Sequence, residues 1–236
     1  MPSAKFASQL EASSYYHPNG GEAYAPLRQK IVETATAMGY DPATMCERGI
    51  VWSDDQDPFD HVANSAYPHF VSICNFRIFE GFEEYLGERY QDMFKGRGIG
   101  VMVKTFTLDI KRPVTYPDSV CETLLQHVFM VHTLIALLMH TIFGLQLIIA
   151  NRILEVLPDR YYGITSIWSL RQQTIVADLK GYVVFFDYTK GKPANLLEVK
   201  GVYAKLHAGL TSKMLKGNEL AAKWELKHSK KFRAKI

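Results

Sequence analysis

Between Asp55 and Tyr67 the chain sets three carboxylates, an imidazole, two amides and a phenol within thirteen residues, DQDPFDHVANSAY. An apolar helical pattern begins directly behind them. A helix start carries N–H groups with no intrahelical acceptor and the positive end of the helix dipole. A carboxylate held in front of such N–H groups can attack a carbonyl, or activate water to attack it, while the N–H groups stabilise the oxyanion that forms. Asp57, His61, Asn64 and Tyr67 carry groups that such chemistry could use. Asp55 and Asp60 read as turn and cap acids, and Trp168 as core.

Several elements must hold these residues. Phe70, Val71, Cys74, Ile78, Phe82 and Leu86 recur at three and four residues, which predicts one helix over residues 65–90 with an apolar face, capped by Asn64 or Ser65. Leu27, Ile31, Val32 and Ala35 predict a short helix ending near Gly39, and Asp41-Pro42 starts a turn. β-rich, partly alternating runs over 100–111, 148–156, 161–170 and 174–188 predict strands. The glycine-rich loop 95–100 follows a helix and precedes a strand, the reverse of a phosphate-binding loop, and reads as a turn. A helix followed by antiparallel strands is α+β, with the helix on one sheet face.

The pattern D-x-D-P-x-x-H-V-x-N-x-x-Y, preceded by Val51-Trp52, resembles the signature of hotdog-fold acyl-CoA thioesterases of the 4-hydroxybenzoyl-CoA thioesterase type. With the turn Arg112-Pro113-Val114-Thr115-Tyr116-Pro117-Asp118, the resemblance covers about residues 52–188. It implies a curved antiparallel sheet wrapped around a long central helix. It also implies acyl-CoA as substrate, hydrolysis to free acid and coenzyme A with Asp57, the acid before Pro58, as nucleophile or general base, the Asn64 N–H seven residues on as candidate oxyanion donor, His61 as a catalytic or hydrogen-bonding support and Tyr67 as a substrate-contacting aromatic. A role in lipid metabolism and a homodimer or homotetramer with the acyl pocket between subunits follow from it as well. No metal or other cofactor is needed. Position 63 departs from the family's His-Val-Asn-Asn form, being Ala. Two alternatives stand beside hydrolysis. One is a non-catalytic acyl-thioester-binding hotdog protein, which Ala63 favours. The other is a hotdog enoyl-CoA hydratase, whose Asp-x-Asn-Pro-x-His pattern is approached by residues 55–61 with Asp for Asn and one extra residue before His61.

Residues 120–146 do not suit this scheme. Their core, extended to 128–150, is apolar over the length of a membrane span, yet His132, His140 and Gln146 fall within it and no basic cluster precedes it. His132 and His140 have no accompanying acid or cysteine that would make a metal site. Without the segment, residues 112–119 run into Leu147 and read as strand, tight turn, strand. Valine codons begin GT and a glutamine codon can be CAG, so the borders suit an in-frame retained intron. Otherwise 128–150 is a membrane anchor or a surface helix.

The domain organisation expected is an N-terminal extension with a short helix (1–48), the hotdog domain (49–192) and a helical basic extension (193–236). At 236 residues, 47% hydrophobic and 22% charged, the chain can bury a core. A net charge of +3 gives no reason to expect nucleic acid as a partner. Lys223, Lys227, Lys230, Lys231, Arg233 and Lys235 read as a solvated helix and tail, with attraction to coenzyme A phosphates or an anionic surface as the functional alternative. Cys46, Cys74 and Cys121 lack disulfide or metal spacing. A reducing, intracellular site is expected, the cytoplasm first. Mitochondrion and peroxisome are the alternatives, the latter because Ala234-Lys235-Ile236 is a poor version of a Ser-Lys-Leu terminus.

Overall fold

Apolar residues alternating along three of the four long strands give the sheet two buried faces, and each face has its own cover. The computed structural model describes residues 25–50, 52–115 and 146–233. The elements are α1 (Ala25–Ala37), β1 (Cys46–Gly49), α2 (Trp52–Asp55), α3 (Ala66–Glu80), α4 (Glu83–Leu86), α5 (Tyr90–Phe94), β2 (Ile99–Ile110), β3 (Gln146–Leu157), β4 (Arg160–Ser169), β5 (Thr174–Asp187), β6 (Lys192–Pro193), α6 (Leu196–Val199) and α7 (Val202–Arg233). All pairings are antiparallel, in the order β1-β3-β4-β5-β2, with β6 beside β5.

On the inner face, Tyr67, Phe70, Val71 and Cys74 of α3 pack against Ile149, Ile167, Ala177 and Leu179. Further along that face, Phe79, Phe82, Leu86 and Tyr90 pack with Tyr161, Val183 and Phe185, under Leu206 and Leu210 of α7. The outer face is covered by Ile31 and Ala35 of α1 and by Tyr40, over Ile148, Ile164 and Trp168. Burial of this kind contributes about 25 cal/mol per Å² of apolar surface removed from water, so both layers stabilise the sheet. Tyr40 also begins a buried polar chain. It donates to Ser166 Oγ at 2.5 Å, and Ser166 donates to Asp178 Oδ1 at 2.5 Å. Lys111 Nζ lies 2.8 Å from Asp178 Oδ2.

The four long strands fall where the alternation predicts. The four residues of β1 were not foreseen; they pair with the start of β3, Gly49 opposite Gln146. The single helix expected over 65–90 is instead α3, α4, a 3-10 turn and α5. All six stripe residues are buried, so the spacing is right. The axis breaks after Gly81 and again at Gly87, whose φ of +52° is costly for a side chain with a Cβ. Ser65 occupies the N-cap position of α3 with no side-chain capping bond.

Two further expectations need correcting. β2 and β3 are not neighbours joined by a tight turn: β4 and β5 lie between them, because β3 pairs with β1 and β4 while β2 pairs with β5. Also, residues 146–150, the end of the apolar run 128–150, are strand within the sheet. The rest of that run lies outside the described residues, as do 1–24 and 234–236. Among the described residues no helix is long and apolar enough to cross a membrane.

α7 is tied down by a contact of two backbones. A Cβ on Gly39 would sit 2.1 Å from the carbonyl oxygen of Gly217, and one on Gly217 would sit 2.8 Å from that of Gly39. Only glycine fits on either side. Asn218 Nδ2 adds a bond to the Leu154 carbonyl at 3.2 Å, and Lys213 pairs with Asp41 at 3.3 Å.

Candidate active site

The segment before α3 closes on itself through Asp57. Its Oδ1 accepts the N–H of Phe59 at 2.9 Å and that of His61 at 3.0 Å, while its own N–H donates to the His61 carbonyl at 2.8 Å. Asp60 sits at φ +61°, a left-handed position that aspartate tolerates better than most residues, and Gln56 Nε2 donates to its Oδ1 at 2.7 Å. The loop is then fastened on both sides. Gln56 bridges Val62, His61 bridges Thr115, the Val62 N–H donates to the Val114 carbonyl at 2.8 Å, and the Ala63 N–H donates to the Asp55 carbonyl at 2.7 Å. Asp55 itself is buried, 3.8 Å from Arg48, whose guanidinium lies over the Phe70 ring. It is a structural ion-pair acid rather than an exposed turn residue.

This fastening brings the four candidate residues together. Asp57, His61, Asn64 and Tyr67 line one cavity of about 220 Å³, whose far wall is formed by residues 110–114 after β2. Asp57 and His61 are joined through the backbone N–H, with one carboxylate oxygen engaged in the turn and Oδ2 left for chemistry. Asn64 is exposed, and its N–H has no acceptor among the described residues. It stands directly before the Ser65 N-cap, at the start of α3. Tyr67 is 1% exposed; burial, and then the negative charge of Asp57, push its phenol up to about 12, so it remains a neutral hydroxyl. Phe59, at the loop tip, is 77% exposed.

The sequence did not single out Lys111 and Arg112 as site residues, although they form part of the cavity wall. The signal was present in the Arg112-Pro113 turn. What was missing was the Val62–Val114 bond that carries it across to Asp57. Lys111 is held by Asp178, whose hydrogen bond raises the lysine's pKa, and Asp109 lies 3.7 Å away. The cavity thus joins a carboxylate, a helix-start N–H and two cations, a combination suited to an anionic substrate that carries a polarised carbonyl. Among the described residues no group of three or more His, Cys, Asp or Glu could hold a metal ion.

In its fold the chain is similar to solved structures. A DHNA-CoA thioesterase of Staphylococcus aureus superposes with a TM-score of 0.50 at 12% identity, covering 73% of this chain and 93% of that one. The chain has the hotdog fold. Two further neighbours superpose less closely. A 1,4-dihydroxy-2-naphthoyl-CoA thioesterase of Synechocystis gives a TM-score of 0.43 at 13% identity, covering 70% of this chain and 94% of its own. A hypothetical protein of Staphylococcus aureus, solved in complex with CoA, gives 0.47 at 8%, covering 72% and 84%. No family model and no curated protein matches the sequence. The likeness of this hotdog chain to its neighbours is therefore one of fold.

Proposed function

We propose that this hotdog protein is an acyl-CoA thioesterase, hydrolysing an acyl-CoA to the free acid and coenzyme A. The observation that carries the reading is the convergence of Asp57, His61, Asn64 and Tyr67 on one cavity at the start of α3. The thioester oxygen accepts the Asn64 N–H, and Asp57 Oδ2 either attacks the carbonyl carbon or takes a proton from the attacking water. Coenzyme A leaves as the thiol. If Asp57 attacks, a mixed anhydride forms and water then hydrolyses it. His61 braces the loop through its backbone, Tyr67 packs against the substrate, and Lys111 and Arg112 face the anionic part of coenzyme A. The test is thiol release from a panel of acyl-CoA thioesters: no release from any member by the intact chain overturns the reading.

The working unit in this reading is a homodimer or a larger homo-oligomer. Support comes from β2, which pairs only with β5 among the described strands. It leaves Val103, Phe106 and Ile110 exposed at 44%, 52% and 37% on an edge that would otherwise invite indiscriminate pairing. Phe106→Lys is expected to lower the mass measured by light scattering. One observation favours the second reading, acyl-thioester binding without turnover: Asp57 already has a structural task in the turn through Oδ1. Such a protein would be stabilised by acyl-CoA yet release no thiol.

A further inference from the structure

A second cavity, of about 180 Å³, opens next to the first along the same helix. Pro68, Val71, Ser72 and Asn75 of α3 form its roof, so it begins one residue beyond Tyr67. Its cause is a pair of glycines. Gly163 of β4 and Gly181 of β5 are directly opposed, and Phe106 of β2 follows in the same row. Two side chains are therefore missing from the centre of the inner face, directly under a helix. Glycine in a strand interior commonly marks such a close approach. A Cβ on Gly181 would lie 2.2 Å from the Thr105 carbonyl oxygen, so the bulge in β2 at Val103/Thr105 depends on this residue. A Cβ on Gly163 would project to within 3.3 Å of Asn151 Nδ2, into the cavity itself.

The floor is polar where the surrounding core is not. Asn151 and Thr165 are cross-strand partners, 5% and 4% exposed, and both line the cavity. Asn151 Nδ2 donates to Thr165 Oγ1 at 2.9 Å, and that is the side-chain hydrogen bond Asn151 makes among the described residues. An amide offers two N–H donors and a carbonyl acceptor, so a donor and the acceptor remain for a ligand. Asn151 Oδ1 is not sealed off from solvent, so it opens on the cavity, where a ligand hydroxyl can replace water.

We propose that Asn151 and Thr165 select the acyl group, receiving a hydroxyl or keto oxygen at the far end of a chain that lies over Gly163 and Gly181. The proposal rests on the thioesterase reading for the position of the carbonyl. From Tyr67 to the middle of the roof is about 7 Å at the ~1.5 Å rise per residue of a helix. The acyl group that fits is thus of medium length, about 9 Å for eight carbons at the ~1.2 Å per bond of an extended chain. The volume is of the same order as a ~150 Å³ cavity that takes up a benzene ring. Long saturated chains exceed it, and plain medium chains make no bond to the amide.

The experiment compares 8-hydroxyoctanoyl-CoA with octanoyl-CoA by kcat/KM, in the full chain and in Asn151→Leu/Thr165→Val. The full chain is expected to favour the hydroxylated substrate about 10-fold, and the double variant to lose or invert that preference. A ratio near one in the full chain, or a preference unmoved in the variant, overturns the proposal. Should Asn151→Leu fail to fold, Thr165→Val, which keeps the side-chain shape, carries the comparison alone. Gly163→Ala, which fills the floor, is expected to weaken both substrates together; no effect on either would place the acyl group elsewhere. The two thioether analogues, which cannot be hydrolysed, are also measured by thermal shift. If neither thioester turns over, the hydrolase reading fails on its own. The pocket is then decided by whether the hydroxylated thioether stabilises the protein more than the plain one.

Discussion

Oδ1 of Asp57 accepts the backbone N–H of His61 at 3.0 Å, so the candidate acid holds the shape of its own loop. This gives the residue two tasks that substitution can separate. Asparagine retains an oxygen that accepts the same N–H groups but cannot act as base or nucleophile. Asp57→Asn is expected to lower thiol release by about 10³-fold or more while moving the urea midpoint little. Asp57→Ala removes both tasks and is expected to cost a further ~1 kcal/mol of stability. Equal loss of stability in the two variants, or retained turnover in Asp57→Asn, would refute the division.

Arg112 is exposed on the wall of the Asp57 cavity, whereas its neighbour Lys111 is engaged with Asp178. Arg112→Gln is expected to raise KM for acyl-CoA several-fold with kcat nearly unchanged. The difference from the unaltered chain should shrink as salt rises past ~0.15 M, where charges more than about 8 Å apart are screened. A change in kcat alone would assign Arg112 to the chemistry instead.

The chain Tyr40–Ser166–Asp178–Lys111 crosses the outer face of the sheet and ends beside the site. Ser166 and Asp178 are buried, so removing Asp178 leaves the serine hydroxyl without its acceptor, while the exposed Lys111 turns to solvent. Asp178→Ala is expected to cost about 1–3 kcal/mol, read from denaturant unfolding. The exposed Lys223–Glu219 pair on α7 is the contrast: Glu219→Ala is expected to leave the denaturation midpoint essentially unchanged, because solvent already screens the pair.

Burial pushes the Cys46 thiol from 9.0 up to about 12, with the nearby Arg77 pulling the other way. A folded-state pKa above the unfolded one means that the stabilisation is complete below pH 9. It is lost as pH rises toward 12, because the unfolded chain releases its proton first. Tyr67, also pushed up to about 12, acts in the same direction above pH 10. Thermal unfolding midpoints are expected to fall across this window, with the thiol contributing about 1.4 kcal/mol per pH unit. The buried Cys74 thiol is raised as well and acts in the same window, so Cys46→Ala is expected to make the fall between pH 9 and 10 shallower without abolishing it; an unchanged slope would remove the Cys46 thiol from the account.

We propose that residues 120–146 are dispensable to the sheet, at the cost only of the terminal Gly49–Gln146 pair of β1 and β3. β2 ends and β3 begins at the same end of the sheet, three strand spacings apart, or about 14 Å at ~4.8 Å each. The chain is already crossing that gap when it reaches Pro113, whose carbonyl accepts Gln172 Nε2 from the β4–β5 turn at 3.0 Å. From Thr115, the five steps to a joined Leu147 reach up to ~17 Å. The shortened chain is expected to express as a folded protein with an unfolding midpoint no lower than that of the full one. Transcripts that always encode the segment would remove the intron reading, and a shortened chain that fails to fold would remove the dispensability.

How much of this was legible follows from how far each feature reaches along the chain. Strands β3, β4 and β5 alternate over ten or more residues, and the stripe Phe70 to Leu86 repeats over four turns, so both announce themselves locally. β1 is only Cys-Glu-Arg-Gly and exists because β3 offers it partners. The helix breaks escaped notice because the apolar spacing continues through Gly81 and Gly87 while the axis turns. Asp57, His61, Asn64 and Tyr67 lie within eleven residues and were visible together. Lys111 and Arg112 reach them through one backbone bond between distant segments, and Asn151 meets Thr165 only through the pairing of β3 with β4. Register, not residue type, decides both.

The glycine-on-glycine contact between the turn after α1 and the middle of α7 couples two segments that flank the sheet from opposite ends of the sequence. Neither can move off without opening the other's backbone seat. α1 and α7 should therefore exchange their amide hydrogens as one unit, with a shared opening free energy distinct from that of the strands. An added methyl at either glycine would uncouple them, leaving two independently fraying arms on an otherwise intact sheet.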